Sequence, residues 1–528
     1  MAEPDERESG VKGWLQRRKS VLRGELLPPG PGPSGPLSGE QGPSGPLSGE
    51  QGPSGPLSGE QGPSGDPDPD AATEPVAAVP PGGPTADESA GPKLLGSSSF
   101  FRLWLAQVVS SLGDWLGLVA VLSLAARIGG SSPEAAVGIV MSARMVPGFF
   151  FGSVAGVLVD RWDRKRVMVT CDIGRGFVLA TLPFIDTVWG LFVASLLLEV
   201  FTLLWSPAKE ASVPNLVPIS RLASANSLSL AAAYGTFPIG SALFASLTKV
   251  AEFVGRHAGA LDFLELNQES LAIYVDVLTF FTSAALISSL TLPQHARQGG
   301  RIELGRTFTE LKEGWSFIGT SPVVRSVMIG LGTGLVGGGM VAPLGPTFAN
   351  QVLNAGPPGF GLLLFALGMG VATGVVGVST IQQRLPHARL FPLAVVGAGV
   401  AMLVAASTSR LGLTMLVIGV MGVCAGAVYV LGFTILQENV EDEMRGRIFA
   451  TLYTLTRLCL LVALTLAPLA AGLLDRLSNR LFDGEIEIWG ATIELQGVRV
   501  TLWLGGVIIL VAGVLAARTM RARTAAEP

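Results

Sequence analysis

The sequence predicts an all-α membrane protein: twelve transmembrane helices in two six-helix bundles, behind a disordered N-terminal tail. Three observations carry this. The 528 residues are 49% hydrophobic and only 14% charged, with a mean hydropathy of +0.51, whereas soluble domains carry about a quarter charged residues. From Phe100 onward, mostly apolar runs of about 20 residues, the length a bilayer requires, recur twelve times. A polar stretch at 293–322 divides those runs into six and six.

The first 98 residues are read as a disordered cytoplasmic tail. Within it the decapeptide PSGPLSGEQG repeats over residues 33–65. Proline and glycine at that density cannot build a packed core. Ahead of the repeat, Trp14, Leu15, Val21 and Leu22 fall roughly on one side of a helix beside Arg17 and Lys19. Such a basic segment can rest on an anionic membrane surface, and a short solvated tail is the alternative. No signal peptide is expected, since the first long apolar run starts near Phe100.

The spans are read at 101–127, 134–158, 167–187, 189–206, 226–250 and 271–292, then at 323–347, 358–380, 388–408, 411–435, 447–474 and 499–518. They form an N-terminal bundle over 99–292 and a C-terminal bundle over 323–520. The 293–322 linker is cytoplasmic and amphipathic, with Phe308, Leu311, Trp315 and Phe317 among Glu310, Lys312 and Glu313. A short cytoplasmic tail, 521–528, closes the chain. Lys and Arg concentrate on one side: Arg161, Arg164, Lys165 and Arg166, then Arg297, Arg301, Arg306 and Lys312, then Arg384, Arg389, Arg445 and Arg447. The rich side is cytoplasmic, so both termini are expected inside.

The most informative loop is Gly156-Val-Leu-Val-Asp160-Arg161-Trp-Asp163-Arg164-Lys165-Arg166. It resembles G-x-L-x-D-R-x-x-R-R/K, the loop between the second and third helices of the major facilitator superfamily. Three further segments resemble the branch holding the bacterial enterobactin exporter and macrolide-efflux-type proteins. They are Phe101 to Trp115 in the first span, Ser206 to Pro218 with Ala225-Asn226-Ser227 after the fourth, and Gln437 to Arg447 after the tenth. The resemblance covers about residues 95–520. It implies the two-bundle fold, alternating access, and secondary active transport in the cytoplasmic membrane. The chain departs from drug/proton antiporters, which often carry an arginine within the fourth span: here that span has Glu199 and no arginine.

The loop residues Gly156, Asp160, Arg161, Arg164 and Lys165 form a candidate gating motif. Asp160 can accept hydrogen bonds from helix ends, and the cations can reach the other bundle or lipid phosphate. A plain topology anchor is the alternative. Charges inside spans cost about 2.5–3.5 kcal/mol each on insertion scales, so they default to functional hypotheses. By depth, Asp114 and Arg144 match at ~21 and ~24 Å from the same side, which suggests a pair, either a static clamp or part of the path. Glu199 is a candidate proton or cation-substrate site, with a pair to Arg457 as the alternative. Asp114, Arg144, Glu199 and Arg457 are therefore the candidate translocation-path or proton-coupling residues. Asp172 and Arg175, three apart on one helix face, are read as structural, and Asp276 as snorkelling from the outer end of its span. Gly148, Gly152 and Gly156, like Gly370 and Gly374, are spaced for close helix packing.

No enzyme is indicated. There is no Walker-type G-x-x-x-x-G-K-[ST], and His257, His295 and His387 make no triad. Cys171, Cys424 and Cys459 have no metal-ligand spacing, so no metal or cofactor is expected. The expected protein is a monomeric exporter of a small amphipathic molecule, drug, siderophore or metabolite. Its other partners are membrane lipid and protons as a candidate coupling ion, and no nucleic acid. Two alternatives remain open: a lipid or lysophospholipid translocator of the same fold, and a transport-inactive scaffold acting through its tail.

Overall fold

A computed structural model describes residues 93–160, 162–257, 267–291, 321–381, 386–440, 442–482, 485–488 and 491–524. The N-terminal repeat, the basic segment around Trp14 and the amphipathic linker lie outside the described residues. So does Arg161 of the loop motif.

Twelve helices carry the apolar runs. They are α1 (Ser98–Ile128), α2 (Pro133–Asp160), α3 (Arg164–Thr181), α4 (Val188–Ser212), α5 (Leu222–His257) and α6 (Ser270–Ser288). The second six are α7 (Pro322–Val352), α8 (Gly356–Ile381), α9 (His387–Ser407), α10 (Leu411–Asn439), α11 (Asp442–Phe482) and α12 (Gly497–Thr524). Among the described residues, eleven of these are long and apolar enough to cross a membrane. The twelfth, α2, is 28 residues long and carries Glu134 in its first turn. Helix starts have local causes: Ser97, Asp163 and Thr187 each accept a backbone N–H of the first turn of α1, α3 and α4.

Two elements differ from expectation. α7 is a composite of an α-helix at Pro322–Gly339, a second at Val341–Thr347 and a π-helical turn at Phe348–Val352. Three consecutive glycines and then Pro343 and Pro346 remove rigidity and backbone donors there. The loop expected at 475–498 is instead two further turns of α11 and a hairpin. Strand β1 (Glu485–Ile488) pairs antiparallel with β2 (Ala491–Glu494), with Ile486 opposite Ile493. The alternation Glu-Ile-Glu-Ile is a two-residue period, and it is the signal for this strand.

Each bundle is stitched separately. α1 packs on α5 and α6, α2 on α4, and α3 on α4 and α6. Trp104, Gln107 and Trp115 of α1 donate to the α5 carbonyls of Leu228, Ser229 and Ala233 at 3.0, 3.0 and 2.7 Å. In the second bundle α8 packs on α10, and α9 on α10 and α12. The bundles meet through α2 against α11 and α5 against α8. Gly138 faces the Leu464 carbonyl and Pro468, Gly361 faces Phe244, and Gly368 faces Phe237. These contacts run from mid-depth to the end that bears the hairpin.

The α8–α10 seam uses glycine as the sequence suggests. A Cβ at Gly370 or Gly374 would strike the Gly419 or Val423 backbone, and one at Gly422 or Gly426 the Leu367 or Val371 carbonyl. Main chains therefore touch with no side chain between them, the packing that small residues permit in lipid. Gly377, one turn along α8, faces open space. Gly374→Leu should destabilise the protein by about 1–3 kcal/mol or more, the cost of overpacking. Gly377→Leu should not. Thermal unfolding of the two variants checks this, and equal midpoints would remove the seam from the argument.

Candidate functional site

Ionisable side chains gather at mid-depth in the first bundle. Arg175 of α3 is 2% exposed and Asp172, one turn before it, is fully buried. The guanidinium donates to Asp172 Oδ1 and lies 3.6 Å from Asp114 Oδ1 of α1. Asp172 also accepts from Ser283 of α6 at 2.7 Å. Arg175 stacks over Phe280, 4.4 Å from its centroid, and faces Trp205 at 5.3 Å. This one residue therefore binds α1, α3, α4 and α6 into a polar core, with aromatic faces covering the guanidinium.

A small cavity opens beside it, lined by Asp114, Arg144, Arg175, Thr202, Asp276 and Phe280 among others. Asp114 and Arg144 thus share a cavity, but the ion pair of Asp114 is to Arg175. Arg144 forms no ion pair among the described residues. The expected Asp114–Arg144 pair is corrected accordingly: matched depth along a helix leaves rotation about its axis unspecified. Asp172 and Arg175, read from the sequence as structural, stand at the centre of the charge cluster. Asp276 does not snorkel. It is 1% exposed and its carboxylate enters a slot on α1 made by Gly113 and Gly117.

Glu199 of α4 faces α2. Its Oε1 is 3.8 Å from where a Cβ on Gly148 would stand, within the electrostatic reach of Arg144, Asp114, Arg457 and Arg175. Arg457 of α11 crosses from the second bundle and donates to the Gly148 carbonyl at 3.1 Å. Arg457 thus donates to a main-chain carbonyl beside Glu199, and no Glu199–Arg457 ion pair forms among the described residues. Gly148 is free of close helix contact and gives this crossing room.

Of the loop motif, Gly156 and Asp160 lie in the last turns of α2. Arg164 donates to the Ala211 carbonyl at 2.8 Å and Lys165 to the Leu290 carbonyl at 2.7 Å. Ala211 is in the last turn of α4, and Leu290 follows α6. Both cations thus cap helix ends of their own bundle, where unpaired carbonyls attract positive charge.

Three of the chain's four tyrosines were missed by sequence reasoning. Tyr234 (α5), Tyr429 (α10) and Tyr453 (α11) are 67%, 56% and 57% exposed, and Tyr429 is within electrostatic reach of the other two. Tyr429 stacks on Phe433 at 4.5 Å, and Phe433 neighbours Phe449 at 5.5 Å. Phe449, Tyr453 and Arg457 recur every four residues on one face of α11. That spacing was the available signal.

Residues 103–464 match the Major Facilitator Superfamily. The uncharacterized MFS-type transporter YfiS of Bacillus subtilis is 25% identical, over 70% of this chain and 85% of its own. The multidrug efflux pump Tap of Mycobacterium tuberculosis is 26% identical, over 67% and 83%. The crystal structure of a bacterial homologue of the human lysosomal transporter Spinster superposes with a TM-score of 0.64 at 14% identity, covering 82% of this chain and 98% of that one. With two six-helix bundles and a match over most of its length, the chain is a multi-pass membrane transporter, not an enzyme, and belongs to the Major Facilitator Superfamily.

Proposed function

We propose that this protein exports small amphipathic molecules across the cytoplasmic membrane by alternating access, in exchange for protons. The observation that carries the reading is the division of one charged site between the bundles. Glu199, Arg144 and Asp114 belong to the first, and Arg457 reaches them from the second at the Gly148 carbonyl. A bond that joins the bundles at mid-depth must break and reform when they rock about a central site. Intramembrane carboxyls beside such a joint are suited to proton relay.

The tyrosines of α5, α10 and α11 supply aromatic faces for a flat or cationic substrate. The resemblance in sequence to the efflux pump Tap supports the outward direction. The Lys/Arg bias supports cytoplasmic termini. The loop residues Gly156, Asp160, Arg161, Arg164 and Lys165 then belong to the cytoplasmic gate, and the protein acts as a monomer.

Inside-out vesicles test the reading with a panel of fluorescent cationic and neutral dyes under an imposed inside-acid pH gradient. The unmodified protein should accumulate dye, and Glu199→Gln should reduce that uptake to background. No gradient-driven uptake across the panel would sink the export reading. Such a result would favour movement of labelled lipid between leaflets, measured in the same vesicles.

A further inference from the structure

Asp276 is the one carboxyl of the mid-depth cluster that is fully buried and has no cation against it among the described residues. It is 1% exposed. Asp172 and Asp114 share the Arg175 guanidinium, and Asp276 forms no ion pair among the described residues. The charged groups facing it are Asp114 from α1, Arg175 from α3 with Asp172 behind it, and Arg144 from α2. From α5 there is none among the described residues.

The slot that receives this carboxyl is purpose-shaped. A Cβ at Gly117 would overlap Asp276 Oδ2, and one at Gly113 would overlap Oδ1 and Thr279 Oγ1. The Gly113-x-x-x-Gly117 face of α1 thus accommodates a carboxyl where such faces usually seat a helix backbone.

The hydrogen bonds leave a place for a proton on this carboxyl. Thr279 has one hydroxyl proton and two acceptor positions. Its Oγ1 donates to the Asp276 main-chain carbonyl at 2.7 Å. The same Oγ1 also lies 3.1 Å from Asp276 Oδ1. With the hydroxyl proton committed to the shorter bond, the second contact is a hydrogen bond when the carboxyl donates. A buried acid without a counter-ion is stable in that neutral form.

We propose that Asp276 is a proton-carrying residue of the transport cycle, neutral in this conformation and donating to Thr279 Oγ1. The carboxyl O–H bond breaks when the proton passes to water in the cavity shared with Asp114, whose side chain is 36% exposed. The aspartate left behind gains Arg144, which lines the same cavity and forms no ion pair among the described residues, as its counter-ion. This inference rests on the proton-antiport reading.

Infrared absorption of the full-length protein in liposomes tests the protonation directly. The carbonyl stretch of a neutral carboxylic acid should be present near neutral pH, persist in Asp172→Asn and disappear in Asp276→Asn. Thr279→Val, which keeps the carboxyl and removes its acceptor, should shift the band without abolishing it. In dye-loaded vesicles, Asp276→Asn should leave a downhill flux that no longer responds to the pH gradient. A band unchanged in Asp276→Asn overturns the proposal whatever transport does. Loss of the band with full coupling retained also overturns it, leaving Asp276 a structural acid. If the unmodified protein shows no gradient-driven uptake while the Asp276 band is present, the antiport reading has failed and the coupling role fails with it.

Discussion

Arg175→Met should destabilise the protein by about 3–5 kcal/mol, the cost of removing one partner from a buried ion pair. The guanidinium is 2% exposed and serves Asp172, fully buried, and Asp114 together. Its loss strands both carboxylates in the first bundle, and the Ser283 hydroxyl supplies Asp172 with only one neutral bond. Methionine fills much of the volume between Trp205 and Phe280, so the penalty reports charge more than cavity. Arg175→Lys should recover only part of it, because an ammonium does not reproduce a planar fork that meets two carboxylates and stacks on a ring. Adding Asp172→Asn to Arg175→Met should restore part of the stability, since the amide needs no counter-ion and only Asp114 stays without one. Cys171, buried at 3% exposure beside Asp172, provides the reading. Its reaction with a thiol-specific dye during heating follows opening of the bundle, with Cys424 and Cys459 replaced by alanine. An unchanged midpoint in Arg175→Met would mean that the cluster is solvated and the ion pair idle.

Much of this fold is legible in the sequence because the bilayer imposes a long, one-dimensional pattern. Helix count, the six-and-six division and the presence of charges at mid-depth all follow from apolar length and from where polarity interrupts it. Which charges meet is set by rotation of each helix about its axis, and the sequence carries that only through its neighbours. Asp114 and Arg144 therefore share a cavity as their depths suggest, yet Arg175, read as structural beside Asp172, makes the ion pair.

Asp276 was misplaced for a related reason. Its distance from the helix start suggested an escape to the interface, while the Gly113 and Gly117 slot that holds it lies on α1, more than a hundred residues away in the chain. The hairpin after α11 was overlooked although its alternation of Glu and Ile is plain. A four-residue strand gives too short a period to stand out between two strongly apolar spans. The loop after α2 was picked out by its motif. The side chains of Arg164 and Lys165 then turn to carbonyls of the nearest helix ends, a choice decided by where those ends lie in space.

Gly138→Leu should abolish transport while leaving the fold intact. Gly138 of α2 faces α11 across the junction of the bundles, and a Cβ there would stand 2.7 Å from both the Leu464 carbonyl and the Pro468 ring. One obstacle is main chain and the other a rigid ring, so no rotamer change relieves the overlap. The clash lies between bundles and not within one, so it can be relieved by separating them at the hairpin end, with the internal packing of each kept. Arg457 sits on the same helix, and separation there draws it from the Gly148 carbonyl. The variant should therefore be held with the hairpin end open and should cycle no further. Spin labels at Ser131, between α1 and α2, and at Leu477, near the end of α11, read the opening in a background without native cysteines. The interspin distance should lengthen in Gly138→Leu, and dye uptake in inside-out vesicles should fall to background. Gly138→Ala should show a weaker form of both effects. Unchanged distances together with unchanged uptake would show that the α2–α11 contact yields more easily than its backbone geometry implies, and that the bundles do not close there as a condition of transport.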